Sequence, residues 1–479
     1  MRTIPRGSVV LAAFLLLGGC ATQNPPRAAE SRGGGPVDPV DDYIHAVLEK
    51  NHVPGAAVAI VRAGKVERIA TYGVADLESE AKVGPETSFQ IASATKVFTG
   101  TLLMLLVQEG TIGLDDPLSK YLPDAPEAWK AITVRHLAAH ASGLKDDPED
   151  KLDAAASVAA RYEVAKKAPL AHPPGERSEY ALTDYVVLTH ILEKVTGKRF
   201  EELLESRVFR PLGFSCTRFE HATQEGPVRV ADVVPRRATT YRFENERQQR
   251  VWYLYPVHAY AGGGAFSCVK DLARWAAAMD EGTLLTRETQ EIAATAFKLN
   301  DGRAGGFGVV FGVSRLRGSK AFGHSGGGAL ADVLRVPDQK LSVIVLTNEL
   351  QLLPMLAPNI ASMHLPPLPA LSEPGLAEDD PPLTATHRGV VAGLLFGTLD
   401  AAAFAPRAQE ELLPVLRTFG TPGNALQPRL RRLVLLEDRK DGAPRERVYR
   451  AIYGKDTSLK WTFSLDPAGK ILELDYEWE

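Results

Sequence analysis

Phe89-Gln90-Ile91-Ala92-Ser93-Ala94-Thr95-Lys96-Val97-Phe98 decides the fold and the chemistry together. A serine stands one turn before a lysine, and the residues that follow, through Leu102-Leu103-Met104-Leu105-Leu106-Val107, are almost unbroken apolar. Positions i and i+3 share a helix face, so the Ser93 hydroxyl and the Lys96 amine can meet. A hydroxyl attacks well only when a base takes its proton, and an amine kept neutral by burial can serve. The run from Thr95 to Glu109, stopped by Gly110, predicts a helix that is apolar nearly all round and therefore buried in a large domain. Helix N-terminal amides near Ser93 would favour an anion there.

Spacing alone does not single this serine out. Ser79-Glu80-Ala81-Lys82, Ser142-Gly143-Leu144-Lys145 and Ser267-Cys268-Val269-Lys270 repeat it. Ser79 lies in a charged, turn-like run, Gly143 is a poor helix start, and no long buried segment follows Ser267. Only Ser93 opens a hydrophobic helix.

The 479 residues carry a formal net charge of -4. That length suits one large domain plus a smaller one, and the charge balance gives no electrostatic case for nucleic acid. Arg2 and Arg6 precede an apolar run, Val9 to Leu17, too short to span a bilayer as a mature helix. The segment closes Leu17-Gly18-Gly19-Cys20, which resembles the lipobox of bacterial lipoproteins. Residues 1–20 are thus expected to be a signal peptide with Cys20 as the lipidated residue, and 21–41 a flexible tether rich in Pro, Gly and charge. This places the protein in the bacterial cell envelope, on the outer membrane facing the periplasm where the cell has two membranes. An ordinary cleaved signal with an incidental cysteine is the alternative. In an oxidising compartment Cys216 and Cys268 can pair or remain two buried thiols, and their separation decides nothing. No spacing matches a metal site, a dinucleotide loop or a phosphate loop, so neither metal nor cofactor is expected.

A short helix, Asp42 to Lys50, precedes a hairpin of Ala56 to Arg62 and Val66 to Gly73 turned by Ala63-Gly64-Lys65. From Ser93 to about Ala278 the pattern is mostly helical, clearest at Thr183 to Thr196 before Gly197. Strand signals return at Phe307 to Leu316, Ala329 to Pro337 and Leu341 to Asn348. Strands at both chain ends predict one antiparallel sheet with an inserted helical region, the site lying in the cleft between them. This α/β (α+β) domain is expected over residues 42–364. A Pro- and acid-rich linker, 365–384, leads to a small α+β domain over 385–479. There, two helices (Ala385 to Leu399, Ala405 to Phe419) precede four strands: Leu430 to Leu436, Arg447 to Tyr453, Leu459 to Leu465 and Ile471 to Trp478. Turns at Asp441-Gly442 and Pro467-Ala468-Gly469 make that sheet antiparallel.

Two further segments are Pro174-Gly175-Glu176-Arg177-Ser178-Glu179-Tyr180-Ala181-Leu182-Thr183-Asp184-Tyr185 and Gly323-His324-Ser325-Gly326-Gly327-Gly328. With Ser93-Ala94-Thr95-Lys96 they resemble the three motifs of the serine β-lactamase and penicillin-binding protein superfamily, most closely its class C, esterase and D-aminopeptidase branch. Val53-Pro54-Gly55, Gly113-Leu114-Asp115-Asp116-Pro117, Thr133-Val134-Arg135-His136-Leu137, His140-Ala141-Ser142-Gly143-Leu144 and Gly262-Gly263-Gly264 add to the likeness, which covers about Asp42 to Leu365. Order and spacing together make it specific.

The resemblance implies a serine β-lactamase-like fold with Ser93 as the acylated nucleophile, Lys96 as proton acceptor or electrostatic partner, and Tyr180 assisting proton transfer. It implies an oxyanion hole from the backbone N–H of Ser93 and Gly327, with His324, Ser325 and Gly326 on the substrate side. Two departures matter. His324 replaces the lysine of the Lys-Thr-Gly motif, as in the esterase-like branch. Leu182 replaces the asparagine of Tyr-x-Asn, and leucine offers a substrate acylamide no hydrogen bond. Both argue against efficient β-lactam turnover. His136 and His140, one turn apart, look like a metal pair, but the resemblance implies packing. The C-terminal domain resembles small modules appended to such hydrolases. The expected function is a lipid-anchored serine hydrolase that forms an acyl-enzyme on a small-molecule ester, or on an amide or peptide with D-residues. The alternatives are a β-lactamase or D,D-carboxypeptidase, and a catalytically silent protein that binds cell-wall peptides.

Overall fold

The computed structural model describes residues 38–146, 156–225, 228–252, 255–327, 330–350, 356–366, 375–394, 398–413, 416, 430–440, 444–453 and 457–478. Cys20, the expected signal peptide and most of the expected tether lie outside them. Helix α1, Pro39–Lys50, begins ahead of the expected Asp42: proline suits a first helical position, and Asp41 and Asp42 complement the N-terminal dipole. Strands β1, Gly55–Arg62, and β2, Lys65–Asp76, form the expected hairpin, turned through Ala63 and Gly64 at positive φ. After β3, Ala81–Lys82, come helices α2, Lys96–Gln108, α3, Leu182–Thr196, and α4, Val269–Glu281. The sheet then resumes with β4, Gly312–Leu316, β5, Ser319–Gly326, β6, Ala331–Val336, and β7, Leu341–Thr347.

The strand order is β4-β5-β6-β7-β1-β2-β3, and every pairing is antiparallel. Ala56 opposite Thr347 through Arg62 opposite Leu341 joins the two chain ends in one sheet. Both of its faces are covered. Ala57, Ala59, Ile344 and Leu346 pack with α2 and α4, while Val58, Ile60, Val343 and Val345 pack with α1 and with α5, Leu356–Met363. Two-sided burial is why Val343-Ile344-Val345-Leu346 is continuously apolar instead of alternating.

Three expectations change. The strand predicted from Phe307 starts only at Gly312, because Val310 takes φ 74° and the Val309 and Val310 N–H groups bond Ala293 and Ala138 carbonyls of the helical region. A strand not among those expected, β5, ends in His324-Ser325-Gly326, and β6 follows the motif. A hairpin, Thr240–Glu244 with Arg247–Val251, stands inside the stretch expected to be mostly helical; it turns through Asn245 and Glu246, both at positive φ.

Beyond residue 364, helix α6 spans Pro381–Leu394, starting inside the expected linker and capped where Leu383 N–H donates to Asp380 Oδ1 at 3.1 Å. A short helix, Pro406–Glu411, follows. Strands β8, Leu430–Arg439, β9, Arg445–Tyr453, β10, Thr457–Leu465, and β11, Ile471–Trp478, pair antiparallel in that order. The Pro467-Ala468-Gly469 turn is present, with Asp466 Oδ1 accepting from Ala468 N–H, whereas Asp441-Gly442 lies outside the described residues. Val390, Tyr449 and Phe463 of this region share one apolar cluster with the α1/α5 face of the main sheet.

Candidate active site

Ser93 sits on a single 3-10 turn, Ala92–Thr95, and α2 begins only at Lys96, one residue later than the apolar run suggests. The cause is local. Ala92 takes φ 44°, a left-handed conformation that strains any side-chain-bearing residue, and the Thr95 hydroxyl donates to the Ala92 carbonyl at 2.7 Å. In a 3-10 turn residues i and i+3 eclipse, which brings Ser93 and Lys96 onto one line. The turn is anchored beneath by a three-stranded sheet of Phe89–Gln90, Ala265–Ser267 and Arg218–Phe219. Ile91 N–H donates to Ala265 O at 3.1 Å, and Ala265 N–H returns a bond to Thr95 Oγ1 at 3.1 Å.

Lys96 is buried, at 2% exposure. Its Nζ donates to Tyr180 Oη and to the Gly262 carbonyl, both at 2.6 Å, and lies over the Tyr180 and Tyr185 rings at 4.9 and 4.6 Å. Tyr180 Oη donates in turn to Ser93 Oγ at 3.1 Å. The three residues therefore form one hydrogen-bonded chain, amine to phenol to serine hydroxyl. Tyr180 is 48% exposed, so its ring forms part of the open wall beside Ser93.

His324 stands near this wall, its ring centroid 6.2 Å from that of Tyr180. Burial, with the Lys96 charge adding to it, pushes its pKa down to about 3, so the ring is neutral at physiological pH. Its Nδ1 lies 2.7 Å from the Ser325 carbonyl, which can only accept, so Nδ1 holds the proton and Nε2 is left as an acceptor. Nε2 is buried and has no partner among the described residues. The position that holds a cation in the Lys-Thr-Gly motif thus presents a neutral acceptor. Ser325 turns the other way: its hydroxyl donates to Asp332 Oδ1 at 2.8 Å, directly across the β5–β6 pair, and Asp332 Oδ2 accepts from Ala357 N–H of α5 at 2.9 Å. Its side chain lies on the face away from Ser93. Gly326 meets the Ser93 turn, where a Cβ would stand 2.0 Å from the Ile91 carbonyl. Gly327 is exposed, and a Cβ there would meet nothing within 4 Å among the described residues. Leu182, half-buried, presses its Cδ1 onto Gly262, the glycine whose carbonyl holds Lys96.

Residues that the motif reading passed over support this group from below. The His140 ring lies 4.4 Å from the Tyr180 ring, and its Nδ1 is 3.0 Å from Asp184 Oδ2. Ala181 N–H also donates to that Nδ1 at 3.3 Å, so the proton shared with Asp184 belongs on the carboxyl. Burial agrees, pushing Asp184 well above the usual carboxylate range and His140 well below the usual imidazole range. The Ser142 hydroxyl donates to the other Asp184 oxygen. Asp146 caps α3 from outside, accepting from Leu182 N–H at 3.0 Å and Thr183 N–H at 2.8 Å. His136 closes a capping box with Thr133 instead, so the two histidines serve separate packing roles.

The Beta-lactamase family is matched over residues 40–364, well over half of the chain. The chain belongs to the beta-lactamase family. Protein flp of Staphylococcus aureus (strain N315) is 32% identical over 194 residues, a match covering 39% of each chain, so this member spans well under half of that relative's length. The Beta-lactamase of Escherichia coli (strain K12) is 28% identical over 271 residues, 55% of this chain and 65% of that one. Among solved structures, the octameric penicillin-binding protein homologue from Pyrococcus abyssi covers 92% of this family member and is itself covered to 98%, at 21% identity and TM-score 0.58. That likeness extends the shared fold past residue 364.

Proposed function

We propose that this beta-lactamase-family hydrolase is a serine enzyme that forms an acyl-enzyme on Ser93 from a small ester, or from an amide or peptide with D-residues. The observation that carries the reading is the Lys96–Tyr180–Ser93 hydrogen-bonded chain. The step starts from Tyr180 as phenolate, the form that the adjacent Lys96 charge favours; as Ser93 Oγ attacks the substrate carbonyl, its proton passes to Tyr180 Oη and restores the phenol. The Ser93 and Gly327 N–H groups would hold the oxyanion, a contribution on the order of 10²–10³ in rate per donor. The proton returns to the leaving group, and water then releases the acyl group by the same path. Leu182 and neutral His324 favour substrates without an acylamide to orient or a carboxylate to neutralise, which weighs against β-lactams and D-Ala-D-Ala-type peptides. The intact relay weighs against a silent binding protein.

The test is mass spectrometry after exposure to a fluorophosphonate and to penicillin. The adduct is expected on the Ser93 peptide and absent in Ser93→Ala, with p-nitrophenyl acetate turned over faster than any penicillin or cephalosporin. An adduct on Ser79, Ser142 or Ser267, or cephalosporin turnover above ester turnover, overturns the proposal. We also propose anchoring through Cys20 at the cell envelope. None of the helices in the described residues is long and apolar enough to cross a membrane, and Cys20→Ser should move the protein from the membrane to the soluble fraction. Unchanged fractionation would favour a plain secreted enzyme.

A further inference from the structure

Cys216 and Cys268 are both buried, and their Sγ atoms and a carboxylate oxygen of Asp271 lie within 4.8 Å of one another. The two cysteines flank strands already in register, Arg218–Phe219 and Ala265–Ser267. Ala265 stands opposite Phe219 and Phe266 opposite Arg218, so two more steps set Cys268 opposite Cys216. The strands still run side by side at the intervening step, where the Thr217 and Ser267 hydroxyls are 2.8 Å apart. Directly opposed residues of an antiparallel pair have the Cα spacing that a disulfide requires.

A metal is the other reading of two thiols beside a carboxylate, and Asp271 argues against it. Its Oδ2 already accepts from Cys216 N–H at 2.7 Å, from Ser215 and Thr217 N–H at 3.0 Å each and from the Thr217 hydroxyl at 3.0 Å. A carboxylate oxygen so occupied is a poor ligand, and two thiols alone do not fill a tetrahedral zinc site.

We propose that Cys216 and Cys268 form a disulfide by exchange with a small-molecule or protein disulfide. Cys216 is the attacking thiol. The hydrogen bond from Cys268 lowers it, and donating that bond together with burial pushes Cys268 up. The Arg236 side chain also reaches Cys216, and Arg236 and Lys270 line a cavity of about 700 Å³, the side from which the oxidant would enter. The Cys216 thiolate attacks one sulfur of the oxidant and expels the other half as a thiolate. Cys268 then gives up its proton and attacks the Cys216 sulfur of the mixed disulfide, expelling the second half. Two protein thiols become one disulfide, and the oxidant becomes two thiols. The link would close the small sheet that also holds Phe89–Gln90, directly under the Ser93 turn.

The experiment takes full-length reduced protein, removes the reductant, adds oxidised glutathione under native conditions, then alkylates and digests without reduction. A crosslinked peptide pair containing Cys216 and Cys268 is expected. In Cys268→Ser, glutathione should stay attached to Cys216. Melting temperature should fall on reduction of the wild type and not move in Cys216→Ser. Full alkylation of both cysteines, glutathione retained on wild-type Cys216, or stoichiometric zinc in the purified protein would each overturn the assignment. An unmodified Cys216 in the Cys268→Ser protein would overturn the order of attack.

Discussion

Lys96 and Arg447 are both buried cations, at 2% and 0% exposure, and their surroundings are opposite. Arg447, on β9, sits among carboxylates: Glu378 at 2.9 Å, Asp379 at 3.2 Å and Asp438 at 3.3 Å. Lys96 has only neutral company, namely a phenol, a carbonyl and two aromatic faces, and no carboxylate stands within ion-pair distance among the described residues. Taking a cation out of water is costly, and the usual remedy is the one seen at Arg447. A cation left without counter-ions keeps its field for charge that appears later, here on Tyr180 and Ser93. The difference separates a group that holds the chain together from one that is available for chemistry.

That contrast can be broken by substitution. Lys96→Ala and Tyr180→Phe should each slow fluorophosphonate labelling of Ser93 by on the order of 10²–10⁴. The double variant should lose little more, because residues acting as a unit are not additive; multiplying losses would mean that the two work separately. Arg447→Ala should leave labelling per folded molecule unchanged and lower the stability of the C-terminal region by about 3 kcal/mol, read as an early transition in urea. A labelling defect in that variant would erase the distinction. Leu182→Asn should raise penicillin acylation relative to p-nitrophenyl acetate by about 10- to 100-fold, the equivalent of roughly 1–3 kcal/mol for one restored hydrogen bond. No change in the ratio would clear Leu182 as the discriminating residue.

Acid sharpens the comparison with a smaller effect. In the C-terminal region burial pushes His387 down to about 3, Lys440 and Arg445 hold Asp379 and Asp438 low, and hydrogen bonds from Thr384 and Arg447 hold Glu378 low against its burial. Between about pH 6.5 and 3 the unfolded His387 binds a proton that the folded one refuses, and below about 4 the carboxylates add the same sign. Stability there should fall steadily as pH drops. Around Ser93 the neutral His324 and His140 push the same way, but Asp332, raised by burial to about 6, and Asp184, raised further, bind protons in the folded state and oppose it. Hydrogen exchange should therefore show peptides of β8–β11 opening before those of α2 as pH is lowered. The reverse order would contradict these assignments.

That Ser93, Lys96 and Tyr180 meet was legible because the motif order fixes their places. The sheet from both chain ends was legible because Val343-Ile344-Val345-Leu346 is too apolar for any exposed strand. What stayed hidden depended on distant partners. Gly323-His324-Ser325-Gly326-Gly327 looks like a loop by composition, and the reason for Gly326, the Ile91 carbonyl, lies far away in sequence. Ser325 was placed on the substrate side, yet strand alternation and Asp332 turn it to the other face. Phe307-Gly308-Val309-Val310 has strand-like composition, but its backbone bonds go to the helical region. The Asp184–His140 support was present in the quoted motifs, and only the fold shows that the two touch.

The contact between Leu182 and Gly262 fixes the order in which mutations at this wall can accumulate. A Cβ at 262 would lie 2.6 Å from Leu182 Cδ1, so Gly262→Ala on the present background forces the leucine aside, next to the carbonyl that holds Lys96. With Leu182 cut back to alanine first, that space opens and alanine at 262 can follow at lower cost. Changing 182 first therefore leaves 262 free to follow, whereas 262 first makes the leucine end move beside the Lys96 contact.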